Sequence, residues 1–117
     1  MTEAAISTRS TTQKGGWWIL FGISALAVVN HAVLIFVIPG EQVLFIGWTA
    51  FSLYSALVLY FPYRKGEKWA WFSTWILVVV FASMILFDAE IGIYYLVAAG
   101  LMAFGQLLNR ETFFPKG

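Results

Sequence analysis

The sequence predicts an all-α polytopic membrane protein, with four transmembrane helices in an antiparallel up-down-up-down bundle. Three observations lead there. The 117 residues are 61% hydrophobic and only 11% charged, more apolar surface than a soluble domain this small can bury at its high surface-to-volume ratio. The apolar residues form four continuous runs, not the alternating segments of about ten residues that build a membrane barrel. The basic residues gather in alternate breaks between those runs, as in a chain threaded in one direction.

Residues 1–16, MTEAAISTRSTTQKGG, are polar and rich in Ser, Thr and Gly. They offer too little apolar burial to offset the entropy of ordering, and are expected as a flexible tail. The first span is 17–38, WWILFGISALAVVNHAVLIFVI. At about 1.5 Å per residue it covers roughly 33 Å, enough for a hydrocarbon core. A cleaved signal peptide is the rival reading, with Arg9 and Lys14 before the run and Ala25-Leu26-Ala27 as cleavage site. The run continues well past Ala27, so a retained span is expected. Pro39-Gly40-Glu41-Gln42 is a turn, because both Pro and Gly resist helix continuation. The second span is 43–61, the charged turn Tyr63 to Lys68 follows, and the third span is 69–87. Asp88-Ala89-Glu90 separates it from the fourth span, 91–108, and 109–117 is a C-terminal tail. Connections this short make successive helices antiparallel.

Charge sets the expected orientation. Arg9, Lys14, Arg64, Lys65, Lys68, Arg110 and Lys116 all fall in the N-terminal tail, the second turn or the C-terminal tail, which four spans place on one side. The other side carries Glu41, Asp88 and Glu90 and no basic residue. The positive-inside bias puts both termini in the cytoplasm of a multi-pass protein of the plasma membrane. Trp17, Trp18, Tyr60, Tyr63, Trp69 and Trp71 fall at the inner interface, and Trp48, Tyr94 and Tyr95 near the outer one, as aromatic belts require. So lopsided a charge count disfavours the dual insertion of small multidrug transporters and fluoride channels. A net charge of +1 gives no field for nucleic acid, and the absence of Cys removes disulfides, thiolate metal sites and thiol redox chemistry.

Within the four runs there is no Asp, Glu, Lys or Arg. Ion-coupled transport normally needs an ionisable group inside the bilayer, so active transport is disfavoured. His31, preceded by Asn30 in the outward half of the first span, is the polar centre. Three readings stand: a neutral imidazole bonded to another helix or to a partner subunit, a ligand for haem or a metal such as copper, or a hydrogen bond to a quinone or lipid headgroup. Asp88 and Glu90 could join His31 as a metal cluster, with Glu41 nearby, or could serve only as a solvated turn whose charge suits a helix N-terminus. Gly92, Ala99 and Ala103, with Gln106 a turn further, form a small-residue stripe for helix packing, as do Thr49, Ser52 and Ala56 on the second span. In the tail, Phe113 and Phe114 are expected either to anchor in the interface or to dock into a pocket on a partner.

The turn Arg64-Lys65-Gly66-Glu67-Lys68-Trp69-Ala70-Trp71 resembles a signature of small prokaryotic four-helix membrane proteins, loosely similar to DoxX-like proteins. These carry a basic pair, Gly-Glu, a basic residue and Trp-Ala-Trp between helices 2 and 3. The resemblance implies the fold and the inner position of the turn, and no catalytic residue. Physical chemistry gives the turn the same role. Gly66 permits a sharp reversal, Glu67 suits the start of the third helix, and Arg64, Lys65 and Lys68 face anionic headgroups while Trp69 and Trp71 sit at headgroup depth.

The expected function is that of a small accessory or structural subunit without catalysis of its own. It would pack against larger subunits of a membrane complex, an energy-converting or oxidoreductase complex being the expected setting. The alternatives are a protein binding haem, copper or quinone through His31, and a passive pore or small-solute transporter lined by Asn30, Ser52, Ser55 and Gln106.

Overall fold

A computed structural model describes residues 10–115. Four long helices carry the chain: α1 (Thr11–Val37), α2 (Gln42–Tyr60), α3 (Lys68–Ser83) and α4 (Ala89–Leu108). A 3-10 turn, Met84–Leu86, extends α3, and a one-turn helix α5, Arg110–Phe113, follows α4. Among the described residues there is no strand. Each of the four, with the third counted as Lys68–Leu86, is long and apolar enough to cross a membrane.

α1 starts well before Trp17. The expected tail of residues 1–16 gives way to helix from Thr11 onward, while its first nine residues lie outside the described ones. The cause is a capping box that the polar composition hid. The Gln13 amide N–H donates to Ser10 Oγ at 3.2 Å, and the Ser10 N–H donates to Gln13 Oε1 at 2.9 Å, so two otherwise orphaned donors at the helix start are satisfied. α1 ends at the Pro39-Gly40 turn, where Gly40 takes φ 85°. The second turn reverses through Gly66 at φ 77°. Where α3 tightens to 3-10 geometry, Gly92 of α4 lies directly against the backbone of Ile85. Asp88 caps α4, accepting from the N–H groups of Glu90 at 3.0 Å and Ile91 at 3.2 Å.

Successive helices run antiparallel, as the contacts between distant residues show. Trp17 Nε1 at the start of α1 donates to the Leu59 carbonyl at the end of α2, at 2.7 Å. Gln106 near the end of α4 bonds the Trp71 backbone at the start of α3. α1 packs along both α2 and α4, and α3 packs along α4, whereas α2 and α3 meet only loosely. The bundle measures 52 × 24 × 21 Å, long in one direction and nearly square across it. Trp17, Leu20, Leu59, Tyr63, Met102 and Phe113 fill the end where α1 starts and α4 stops.

The distribution of polarity is inverted relative to a water-soluble bundle. His31, Ser24, Ser52, Thr74, Gln106 and Asn109 are buried, while Phe36, Val43 and Phe87 are more than four-fifths exposed. That suits an apolar solvent, in which polar groups need internal partners and large apolar side chains need none.

Two glycines, Gly16 and Gly105, bring α1 and α4 close together. A Cβ on Gly105 would lie 2.8 Å from the Gly16 carbonyl oxygen and 3.0 Å from Leu20 Cγ, whereas one on Gly100 would meet nothing. Gly105→Ala is therefore expected to destabilise the bundle by about 1–3 kcal/mol, with Gly100→Ala within about 0.5 kcal/mol of wild type. Thermal unfolding in mild detergent checks the difference.

Candidate functional site

Two buried polar nodes lie at opposite halves of the bundle. The first centres on His31, which is 2% exposed. Its Nδ1 lies 3.1 Å from Ser52 Oγ on α2, and its Nε2 lies 2.8 Å from Tyr95 Oη on α4. One ring nitrogen donates and the other accepts, and either hydroxyl can play either part. The neutral imidazole thus has both nitrogens satisfied by hydroxyls from two different helices. The Trp48 ring flanks it at 5.4 Å, and Phe81 meets Tyr95 edge-on at 5.3 Å.

The second node joins the charged turn to α3 and α4. Tyr63, fully buried, donates from Oη to Gln106 Oε1 at 2.6 Å. Gln106 Nε2 donates to the Trp71 carbonyl at 2.8 Å, and Trp71 Nε1 donates to the Gln106 carbonyl at 3.3 Å. Both ends of the Gln106 amide are therefore used inside the chain. Gly92 and Ala99 of the same stripe are buried, and Ala103 is half-buried.

The structure does not bring His31, Asp88 and Glu90 together. Asp88 is spent on the α4 cap, Glu90 and Glu41 are exposed, and among the described residues no three His, Cys, Asp or Glu side chains are placed to hold a metal ion. For His31 to ligate haem iron or copper, one nitrogen would have to exchange its hydroxyl partner for the metal. The four polar residues expected along a pore lie in different surroundings. Asn30 is exposed on the outer flank of α1, and Ser55 donates to the Phe51 carbonyl at 2.9 Å. Ser52 and Gln106 are the interior groups already described.

Residues of the charged turn divide by depth. Arg64 lays its guanidinium over Tyr60 at 4.8 Å and Trp17 at 5.4 Å. Lys65 is exposed, and Trp69, half-exposed, donates from Nε1 to Glu67 Oε2 at 2.7 Å. Lys68 stands 5.2 Å over the Phe114 ring. Phe113, expected either to anchor in the interface or to dock into a partner, packs inside its own chain. It is 2% exposed and packs 4.7 Å from the Tyr63 ring, because α5 folds back over the turn. Phe114 rests on Trp71 and Phe72. Arg9 and Lys116, part of the expected charge pattern, lie outside the described residues.

Sequence reasoning missed Tyr63, Tyr95 and the pairing of His31 with Ser52. The signal for Ser52 was its place in the small-residue stripe of the second span. Tyr95, read only as an interface aromatic, carried none. Concave surfaces also line the flanks of the bundle. A groove of about 590 Å³ runs between α1 and α4 beside Asn30 and Tyr95, and a cleft of about 270 Å³ separates α2 from α3.

The fold and its polar interior define a class: an all-helical bundle with four helices of membrane-spanning length and apolarity. Comparison of the chain with protein-family models, curated proteins and solved structures found no match.

Tyr95→Phe leaves one His31 nitrogen without its partner in a buried site. It is expected to lower stability by about 1–2 kcal/mol. The His31→Leu, Tyr95→Phe double variant is expected to lose less than the sum of the single losses, because the pair acts as a unit. A double-mutant cycle by reversible unfolding in mixed micelles measures this, and strict additivity would contradict the coupling.

Proposed function

We propose that this chain is a small accessory subunit of a membrane complex in the prokaryotic plasma membrane. It spans the bilayer four times with both termini cytoplasmic, packs against larger subunits and carries no catalysis of its own. The orientation is supported by charge. Lys14, Arg64, Lys65, Lys68 and Arg110 lie at the end of the bundle where α1 starts and α4 stops, and Glu41, Asp88 and Glu90 lie at the other. The charged turn then lies at the cytoplasmic face, in keeping with its resemblance to the Trp-Ala-Trp turn proteins. Single cysteines replacing Glu41 and Lys65 in the cysteine-free chain test it. An impermeant maleimide applied to intact cells should label position 41 and spare position 65, and the reverse pattern would overturn the orientation.

The observation that carries the accessory role is the cleft between α2 and α3. These helices are consecutive and joined by a short turn, yet they stay apart over Phe51, Tyr54, Ser55, Ser73, Thr74 and Leu77. In lipid there is no hydrophobic drive to close such a gap; Ser55 and Thr74 already donate to their own helices, so small residues such as Ser55 and Ser73 favour another helix there chiefly by close packing. A partner's transmembrane helix seated there completes the bundle. The polar nodes at His31 and Gln106 are closed on themselves, so they brace a scaffold and leave the flanks for contact.

Ser73→Phe fills the cleft from α3. It is expected to abolish co-migration with a larger complex in native gels of solubilised membranes, while leaving the thermal stability of the isolated chain within about 0.5 kcal/mol. Wild-type protein that migrates alone, or only with copies of itself, would overturn the accessory role.

A further inference from the structure

The outer flank of α1 carries an unanswered polar group. Asn30 is exposed, lies some two turns before the helix ends at Val37, and among the described residues its amide has no hydrogen-bond partner. About 4 Å from the middle of the apolar run, it faces hydrocarbon rather than headgroups on the membrane reading. An amide left there without a partner is costly. His31, its neighbour in sequence, points the other way and has two partners.

The residues sharing that flank have a definite spacing. Ile19, Ile23, Leu26, Asn30, Val33 and Val37 are separated alternately by four and three residues, a heptad seam sustained along almost the whole helix. Ile23, Asn30 and Val37 occupy one set of seam positions, β-branched apart from the Asn. Ile19, Leu26 and Val33 occupy the other. A single Asn in such a seam fixes the register of the helices that share it; the choice of two copies rests on the Asn amide itself. The seam is open over its second half in the single chain, with Leu26 70% exposed, Val33 52% and Val37 63%, while Ile19 and Ile23 are half-buried and Ile23 also touches the core. A second, separate seam on α1, through Trp17, Leu20, Ser24 and His31, is the one buried inside the bundle.

We infer that two copies of this chain pair in parallel through the outer seam of α1, with the Asn30 amides hydrogen-bonded to each other across the two-fold axis. The self-complementarity of the amide selects the occupant. Asn carries both donors and an acceptor, so the same residue from a second copy satisfies it in an isologous contact, and no second kind of side chain is needed. The groove between α1 and α4 lies beside the seam and gives the second helix room to settle against Ile91 and Tyr94. The axis runs along the membrane normal, which keeps both copies in one orientation and sets the cleft between α2 and α3 apart from the pairing face.

Single cysteines in the full, otherwise cysteine-free chain, reconstituted in phospholipid vesicles and oxidised with copper phenanthroline, test the inference. Ile19→Cys, Leu26→Cys, Val33→Cys and Val37→Cys should each give a disulfide-linked dimer. Val29→Cys and Phe36→Cys, equally exposed on α1 but off the seam, should not. Linkage at the seam centre without linkage at both 19 and 37 would indicate antiparallel pairing and overturn the parallel two-fold. In the Leu26→Cys background, Asn30→Leu should lower the dimer fraction, weakening association by roughly three- to tenfold, and Asn30→Gln should restore most of it. Uniform cross-linking at all six positions, none at any, or a dimer indifferent to Asn30→Leu would each overturn the inference. An occupant of another kind, whether a lipid headgroup or a helix of a different protein, predicts the second of these. The readout uses purified protein alone, so it stands or falls separately from the accessory role.

Discussion

The structure depends on one constraint: with an apolar surface turned outward, the larger buried polar side chains within the helices are held by partners inside the bundle, although the small buried Ser24 hydroxyl has none. His31 shows how the constraint shapes the fold. An imidazole has two polar atoms on opposite edges, so satisfying both requires partners on two sides. Ser52 and Tyr95 supply them from α2 and α4, and the three helices are thereby held in one relative rotation. Gln106 does the same at the other end, where its amide oxygen takes the Tyr63 hydroxyl and its amide nitrogen reaches the Trp71 backbone. Apolar packing alone is weakly directional in lipid, because lipid tails are as apolar as leucine. The two nodes provide the direction.

Close approach makes the nodes reachable. Near the end of α4, Gly105 and Gly16 bring the backbones of α4 and α1 so near that a methyl group on either would collide with the other. At the far end Gly92 rests on the backbone of Ile85. With α4 held at both ends, the loose relation between successive long helices is that of α2 and α3. The polar nodes bypass it: His31 ties α2 to α1 and α4, and Gln106 ties α3 to α4 and the turn.

The four long apolar helices were legible in the sequence because hydropathy and length act locally: a continuous run of about twenty apolar residues has few structures open to it. The helical start at Thr11 was less legible. Ser10-Thr11-Thr12-Gln13 holds a capping box, but it sits in a stretch whose composition reads as tail. The partners of His31 were not legible at all. Ser52 and Tyr95 lie 21 and 64 residues away, and which hydroxyl meets an imidazole depends on helix rotation and register, which no local pattern encodes. Phe113 failed for a related reason. An aromatic after the last span reads as free until the one-turn helix α5 folds it back onto Tyr63.

Charge and heptad spacing in α1 are independent features, yet they constrain one another. A parallel seam requires that both copies be threaded the same way, and a chain with balanced charges at its two ends would insert both ways and present antiparallel copies to each other. Here every basic residue among the described ones lies at one end and the acidic turns lie at the other. The Asn30 position adds a second restriction. It lies off the centre of the seam, so two amides meet only in parallel register; in antiparallel pairing each would face an apolar side chain some distance from its counterpart. The inner seam of α1 ends in a histidine that needs two different helices, and the outer seam carries an asparagine that its own copy can answer. One helix thus holds both the contact that organises the chain and the contact that would pair it.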